Sequence, residues 1–232
     1  MVALEDCETA TPPLLNVAQV KVLLEGYYNA ADGNMRTELQ ETSLLPLSNP
    51  YNIAPFNYFG TEAIDSIPAG IIDWVLVELR DTANTDSIVH QQAVLLRKDG
   101  WLVTTSGDTT LNFEGIPNGS YYIAIHHKSH LPIISSIAHS LGIFDLAYDF
   151  TSAATTAMGE AQLKEIEGQY YMFSGDFDNN GAINNLDYNI WKLNSAAINI
   201  YSIADADGNG IINSLDYNLL QVNLSKIGTL RR

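Results

Sequence analysis

Two short stretches, DFDNNGAINNLD at 176–187 and DADGNGIINSLD at 205–216, decide how this chain folds near its carboxyl end. The second stretch follows the first at an offset of 29 residues (205 minus 176), and 11 of 20 aligned residues are identical between 176–195 and 205–224. A repeat this short and this well matched indicates a duplicated structural unit.

Each stretch places oxygen-bearing side chains at positions 1, 3, 5, 9 and 12 of a 12-residue loop, with glycine at position 6. This is the pattern of an EF-hand calcium loop, in which position 7 supplies a backbone carbonyl. Turns rich in Asp and Asn are the alternative explanation, but all six acidic residues of 176–232 stand at positions 1, 3 or 12. We therefore predict two calcium ions. The predicted ligands are Asp176, Asp178, Asn180, Ala182, Asn184 and Asp187 in the first loop, and Asp205, Asp207, Asn209, Ile211, Asn213 and Asp216 in the second.

A helix is predicted after each loop, over Leu186–Leu193 and Leu215–Leu224, whereas the residues before the first loop read as a strand. With Asp instead of Glu at position 12, this loop-plus-helix duplication resembles the dockerin family. The resemblance implies a small α-helical domain, folded by two calcium ions, that docks onto a cohesin-type partner through its helix faces. Positions 10 and 11 lack the Ser/Thr pairs common in that family, which leaves open a fixed structural or intramolecular unit. The implied partner-binding residues are Asn185, Lys192, Ser214 and Gln221.

Residues 17–152 read as about eight short strands separated by turn signals. Ile71–Leu79 is rich in β-branched and aromatic residues, and Lys98-Asp99-Gly100 is a hairpin signal between two apolar runs. Such spacing predicts a mainly β chain with an antiparallel, Ig-like or carboxypeptidase-regulatory-like β-sandwich. The predicted organisation is an N-terminal tail or linker at 1–16, the sandwich at 17–152, a connector at 153–167 and the dockerin-like domain at 168–232.

The stretch FEGIPNGSYYIAIHHKSHLPIIS at 113–135 resembles a turn and strand of carboxypeptidase-regulatory-like sandwiches. Together with 21–39 and 71–81 it also resembles C-terminal modules of large secreted proteins of the Bacteroidota, of the haemagglutinin or adhesin type. That resemblance implies an accessory or assembly role at the cell surface. Calcium sites of extracellular modules bind at roughly 10⁻⁴–10⁻³ M and fill only where calcium is abundant. Both considerations predict an extracellular or cell-surface location, although no signal peptide follows Met1.

The composition excludes several function classes. Eleven Lys and Arg against 27 Asp and Glu give a net charge of −16, and such a surface repels nucleic acid and anionic lipid. No apolar run approaches the roughly 18 residues that span a bilayer, so we expect no membrane insertion. The single cysteine allows neither an intrachain disulfide nor a Cys-based zinc site. No hydrolase, metalloprotease or nucleotide-binding motif occurs, so we expect no enzyme activity.

Two function hypotheses remain. The first is a non-catalytic calcium-binding module that acts in adhesion or in assembly of a surface structure, with self-assembly as one version. The second is a carbohydrate-binding module whose dockerin appendage docks onto a cohesin-type partner. Exposed rings at 51–59 would stack on sugars, although such a loop more often packs its rings over the edge of its own sandwich. The rings proposed for a sugar platform are Tyr51, Phe56, Tyr58 and Phe59.

Overall fold

The computed structural model describes residues 17–142 and 146–230, so the predicted tail at 1–16 lies outside the described residues. Strands dominate the chain, and helices are few. The strands are β1 (Val17–Lys21), β2 (Tyr28–Asn29), β3 (Asn34–Met35), β4 (Ile71–Arg80), β5 (Ile88–Arg97), β6 (Leu102–Val103), β7 (Leu111–Asn112), β8 (Gly119–His127), β9 (His130–Ile134), β10 (His139–Leu141), β11 (Leu146–Asp149), β12 (Leu163–Ile166) and β13 (Gln169–Met172). The α-helices are α1 (Glu38–Glu41), α2 (Asn185–Asn194) and α3 (Ser214–Val222), and Ala154–Thr156 forms a 3-10 turn.

The main sheet has the order β10-β8-β4-β5-β6, and β9 also pairs with β8. Its pairs are antiparallel, as the hairpin signals predicted. Strand β4 lies at the centre and is buried along its whole length, which fits its run of β-branched and aromatic residues.

A second sheet has the order β11-β1-β7. Side chains from both sheets enclose one hydrophobic core, which includes Val20, Trp74, Leu95, Phe113 and Phe150. The prediction of a mainly β chain with antiparallel sheets is therefore confirmed. We refer to the two sheets and this core as the sandwich.

The sandwich departs from a purely antiparallel arrangement at one edge. Strand β1 pairs in parallel with β11, with Ala18 opposite Leu146. Parallel neighbours need a long crossover connection, and more than a hundred residues separate these two strands. Turn signals between successive strands reveal hairpins, but they do not reveal a pairing between distant strands.

The repeats form a unit around the two helices. Its apolar cluster includes Phe177, Ile183 and Leu220 from the repeats, together with Leu131 from β9. The segment after each helix pairs with the loop of the other repeat: Ala182 bridges to Ile227, and Ile198 bridges to Ile211. Because each loop is held by the other repeat, the two loops form one unit.

The boundary of 168–232 for the C-terminal domain stays a prediction. Strand β13 lies inside that range, but it pairs with β12 in a hairpin. Its Tyr171 and Met172 belong to the core of the sandwich. The chain therefore leaves the sandwich core at about Phe173, which packs with the apolar cluster of the repeats.

Candidate metal centres

The structure brings three carboxylates together in each loop. In 176–187, which we call the first metal loop, one carboxylate oxygen from each of Asp176, Asp178 and Asp187 lies within 4.8 Å of the others. In 205–216, the second metal loop, Asp205, Asp207 and Asp216 do the same. Sequence spacing alone predicted both groupings.

Backbone N–H groups orient these carboxylates. In the first metal loop, Asp176 accepts from Gly181 N at 3.1 Å, and Asp187 accepts from Phe177 N at 2.7 Å. In the second, Asp205 accepts from Gly210 N at 3.0 Å. Gly181 and Gly210 have φ of 82° and 77°, a left-handed conformation that side chains disfavour. Glycine at position 6 therefore lets the loop turn back over its first carboxylate.

The amide at position 5 differs between the loops. In the second metal loop, Asn209 Oδ1 accepts from Ile211 N at 2.8 Å. In the first, Asn180 Oδ1 is buried and has no hydrogen-bond partner among the residues that the structure describes, although its Nδ2 donates to Asp178 at 2.8 Å. A buried acceptor without a partner is costly. An oxygen-seeking cation at this loop would satisfy it.

The asparagine at position 9 of each loop also caps the helix that follows. The Oδ1 atoms of Asn184 and Asn213 accept from the backbone N–H groups of Leu186 and Leu215, at 2.8 and 2.7 Å, and cap α2 and α3. In EF-hand loops the ligand at position 9 often acts through water, so a capping role is compatible with the pattern. The carbonyl oxygens of Ala182 and Ile211 also lie in the loops, where they accept from the same two asparagines.

Burial of so many carboxylates shifts their titration. Burial and the neighbouring Asp187 and Asp178 raise the pKa of Asp176 to about 8. Burial, Asp216 and Asp205 likewise raise the pKa of Asp207 to about 7. Like charges held this close favour a bound cation or a proton. The donors are all oxygen atoms, which suits hard cations such as Ca²⁺ and Mg²⁺.

The second metal loop lies directly against the sandwich. A Cβ added to Gly26 would stand 1.9 Å from Ala206 O, and one added to Gly208 would stand 2.3 Å from the ring of Tyr27. Arg36 Nη1 lies 3.9 Å from Asp207 Oδ2. Because glycine has no Cβ, Gly26 can lie directly against the backbone of Ala206, and Gly208 can lie directly against the ring of Tyr27.

A buried polar network, which sequence reasoning missed, joins the repeats to the sandwich behind the second metal loop. Asp73 of β4 accepts from Tyr27 at 2.6 Å and from Tyr201 at 2.7 Å, and it lies 3.0 Å from Lys128 Nζ. His127 Nε2 lies 3.1 Å from the same carboxylate. Burial alone would raise the pKa of Asp73, but Lys128, His127 and Tyr201 hold it well below its usual range. We call Tyr27, Asp73, His127, Lys128 and Tyr201 the junction network.

Two signals in the sequence pointed to this network. Asp73 interrupts an otherwise apolar strand, and a buried carboxylate needs partners. The run His126-His127-Lys128-Ser129-His130 concentrates polar groups at the end of another strand. All five of these residues are buried. His127 Nδ1 and His130 Nδ1 lie 2.9 Å apart, so these two histidines bind each other inside the protein, and His127 also binds Asp73.

The aromatic loop does not present its four rings on one face. Tyr51 and Phe56 are buried and pack edge to face at 4.8 Å, and Tyr51 donates to Trp74 O at 2.7 Å. Tyr58 is half-buried and donates to Glu62. Phe59 is 82% exposed. Two of the four proposed rings are therefore closed to a sugar, because they fill the edge of the sandwich.

The four partner-binding positions predicted by resemblance are exposed. Asn185 and Lys192 lie on α2, and Ser214 and Gln221 lie on α3. Exposed apolar side chains flank them at equivalent positions of the two repeats: Leu186, Leu193, Leu215 and Val222. The structure places these residues on the surface; their role as a partner site stays a prediction.

The metal loops, helices and sandwich can be compared with known proteins. No family model matches the chain, and no curated protein does. A C-terminal interface mutant of a type II cohesin–X-dockerin complex from Acetivibrio cellulolyticus aligns with 12% identity and a TM-score of 0.43, over 91% of this chain and 97% of that chain. An N-terminal interface mutant of such a complex aligns with 16% identity and a TM-score of 0.38, over 66% and 81%. Both TM-scores are too low to establish a shared fold. Among the described residues, no helix is long and apolar enough to cross a bilayer.

Proposed function

We propose that this chain is a non-catalytic module that binds two calcium ions and acts at the cell surface, in adhesion or in assembly of a surface structure. The observation that carries the calcium proposal is the pair of carboxylate triads, buried except for the partly exposed Asp178, each with its three oxygens within 4.8 Å. The unpartnered Asn180 Oδ1 supports it independently, because that oxygen stands at a predicted ligand position.

Calcium suits these loops better than the other common cations. The candidate ligands are carboxylate, amide and backbone oxygens, whereas zinc and copper sites favour imidazole and thiolate. The loop contributes several protein oxygens from a flexible turn. Magnesium prefers strict octahedral geometry and retains several waters. The ligand count therefore favours calcium.

Docking of a protein partner is the proposed use of the calcium-folded unit. Leu186 and Leu193 on α2, and Leu215 and Val222 on α3, are each more than half exposed. Exposed apolar side chains that occur at matched positions of two repeats are typical of an interaction surface. The partner is proposed to be a cohesin-like protein or a second copy of this chain, in an extracellular setting where calcium is plentiful.

The calcium proposal is tested by titration calorimetry of the full chain with CaCl₂. We expect two sites in the wild type, one in Asp176→Ala and one in Asp205→Ala, and none in the double variant. The matched control is Asp65→Ala, an exposed aspartate outside the loops, which should keep both sites. Absence of heat in the wild type, with no rise in melting temperature on adding calcium, would refute the proposal.

The docking proposal is tested by sedimentation of the chain with calcium and with chelator. Self-association that needs calcium and disappears in Leu193→Ser plus Val222→Ser supports assembly through this surface. A monomer under both conditions excludes self-assembly. Binding to immobilised cohesin domains then tests the other proposed partner, a cohesin-like protein. The same double variant is the control.

A further inference from the structure

The two metal loops have nearly the same ligand pattern but different neighbouring charges. Arg36 Nη1 lies 3.9 Å from Asp207 Oδ2, and the Asp207 side chain is almost fully buried while that of Arg36 is about one third exposed. Arg36 follows β3 on the sandwich, so the sandwich supplies a permanent positive charge to the second metal loop.

Lys128 is a second cation of the sandwich, in the junction network. Its amine is buried against Asp73 and the rings of Tyr27 and Tyr201, at 5.4 and 4.9 Å from the ring centroids. The field of Lys128 reaches Asp205, since it lowers the pKa of that carboxyl against the larger opposing effect of burial. Lys128 forms its ion pair with Asp73, at 3.0 Å, whereas Arg36 forms an ion pair with a predicted ligand of the loop itself.

The first metal loop has no such partner in the part of the chain that the structure describes. Within 17–142 and 146–230, no Lys or Arg forms an ion pair with Asp176, Asp178 or Asp187. Lys226 contacts this loop through its backbone, where its carbonyl accepts from Ile183 N at 2.9 Å. Its amine lies over the ring of Phe173 instead, 4.6 Å from the centroid.

Because a cation beside a carboxylate repels a calcium ion that binds the same carboxylate, we infer that Arg36 sets the calcium affinity of the second metal loop. It holds Asp207 when no ion is bound and weakens binding when calcium arrives. The two loops then fill at different calcium concentrations, and the sandwich tunes only the second. This inference rests on the proposed calcium binding and deepens it, since it names the residue that makes the two sites unequal.

The test compares Arg36→Gln with Lys98→Gln in backgrounds that leave a single site. Lys98 is an exposed sandwich lysine with no ion pair among the described residues, so the control makes the same charge change. In Asp176→Ala, where the second loop remains, Arg36→Gln should tighten calcium binding about three- to tenfold, the size expected for one partly screened charge near a divalent ion. In Asp205→Ala, where the first loop remains, Arg36→Gln should leave the calcium affinity unchanged.

A thermal measurement on the chain with both loops intact gives a second readout. Arg36→Gln should melt at a lower temperature than the wild type in chelator, because Asp207 loses its partner. The rise in melting temperature on adding calcium should be larger in Arg36→Gln than in Lys98→Gln. A purely structural role for Arg36 would lower the melting temperature equally under both conditions.

The inference is overturned if Arg36→Gln leaves the affinity of the second loop for calcium unchanged, or weakens it, in the background where that loop is the remaining site. It is also overturned if Lys98→Gln tightens that loop equally, because net charge would then be the cause. Loss of all calcium binding in the wild type would instead refute the proposed function itself. The two failures are therefore distinguishable in one set of titrations.

Discussion

The first metal loop contacts the sandwich mainly through an apolar cluster, where Phe177 and Ile183 pack with Leu131. The second lies against Gly26, Tyr27 and Arg36, in front of a buried network of charged and polar groups. One duplicated sequence has thus acquired two environments, one apolar and one polar. From this comparison we expect the ligand pattern to fix where a cation can bind and the surrounding residues to determine how strongly it is held.

The largest expected effect on stability comes from adding a side chain where the second metal loop contacts the sandwich. Gly26→Ala would place a Cβ 1.9 Å from Ala206 O, and backbone must move to relieve that contact. We expect a loss of about 3 kcal/mol in unfolding free energy, the upper part of the range for overpacking. Urea denaturation measures it, and calcium binding should weaken at the second loop alone. Gly142→Ala is the matched control, because among the described residues no atom other than those of its chain neighbours lies within 4 Å of its added Cβ; equal losses in both variants would contradict the close contact.

Acid should lower the unfolding free energy through the junction network, which lies beside the second metal loop. Burial lowers the pKa of His127 to about 4, although Asp73 opposes that shift. A neutral histidine with a depressed pKa adds stability above its unfolded pKa of about 6.5, and that stability is lost as pH falls through 4. The difference corresponds to about 3 kcal/mol. Unfolding free energies measured in urea between pH 7 and pH 4 should fall accordingly in wild type, and His127→Asn should flatten the fall. An unchanged slope in that variant would assign the acid sensitivity to other groups.

Loss of one hydrogen bond at the junction should cost less. Tyr201 donates to Asp73 at 2.7 Å, and Tyr201→Phe should lower the unfolding free energy by about 2 kcal/mol, as expected for a bond to a charged acceptor. Thermal unfolding in calcium measures the change. Tyr188→Phe, on the side of the first loop, removes a hydroxyl that makes no hydrogen bond among the described residues, and it should lie close to wild type.

The two position-5 amides should respond differently when calcium is absent. Asn209→Ala removes the acceptor for Ile211 N and should cost about 1 kcal/mol in chelator. Asn180→Ala should cost less there, because its Oδ1 has no partner to lose. With calcium present, both variants should bind one ion more weakly. Equal costs in chelator would remove this difference between the loops.

The smallest effects are expected on the exposed helix faces. Leu193 and Val222 occupy equivalent positions and are 87% and 64% exposed. Single changes to Ser should alter the unfolding free energy by less than about 0.5 kcal/mol. If α2 and α3 serve the partner equally, either single change is tolerated and only the double variant fails. A large loss from one single change would show that the partner uses one helix.

The ligand register was available from the sequence, because each loop position is set by local spacing. The turn at Gly181, the cap at Asn184 and the helix over 185–194 all follow from residues within a dozen positions of one another. The strand at 71–80 was predicted almost to its ends for a similar reason, since a long β-branched run has few alternatives. Short strands such as β10, which carry little local signal, were missed.

The sequence by itself therefore determined the repeat, its predicted ligands, the helices that follow and the mainly β character of the rest. Tertiary structure alone decided that β1 pairs in parallel with β11, that Tyr51 and Phe56 are buried, and that Asp73 joins β4 to Tyr201. It also brought Arg36 to Asp207, 171 residues away in the chain (207 minus 36). Local patterns express the steric and hydrogen-bonding needs of neighbouring residues. The charge environment of a site depends on which distant surfaces meet, and the folded chain alone establishes that.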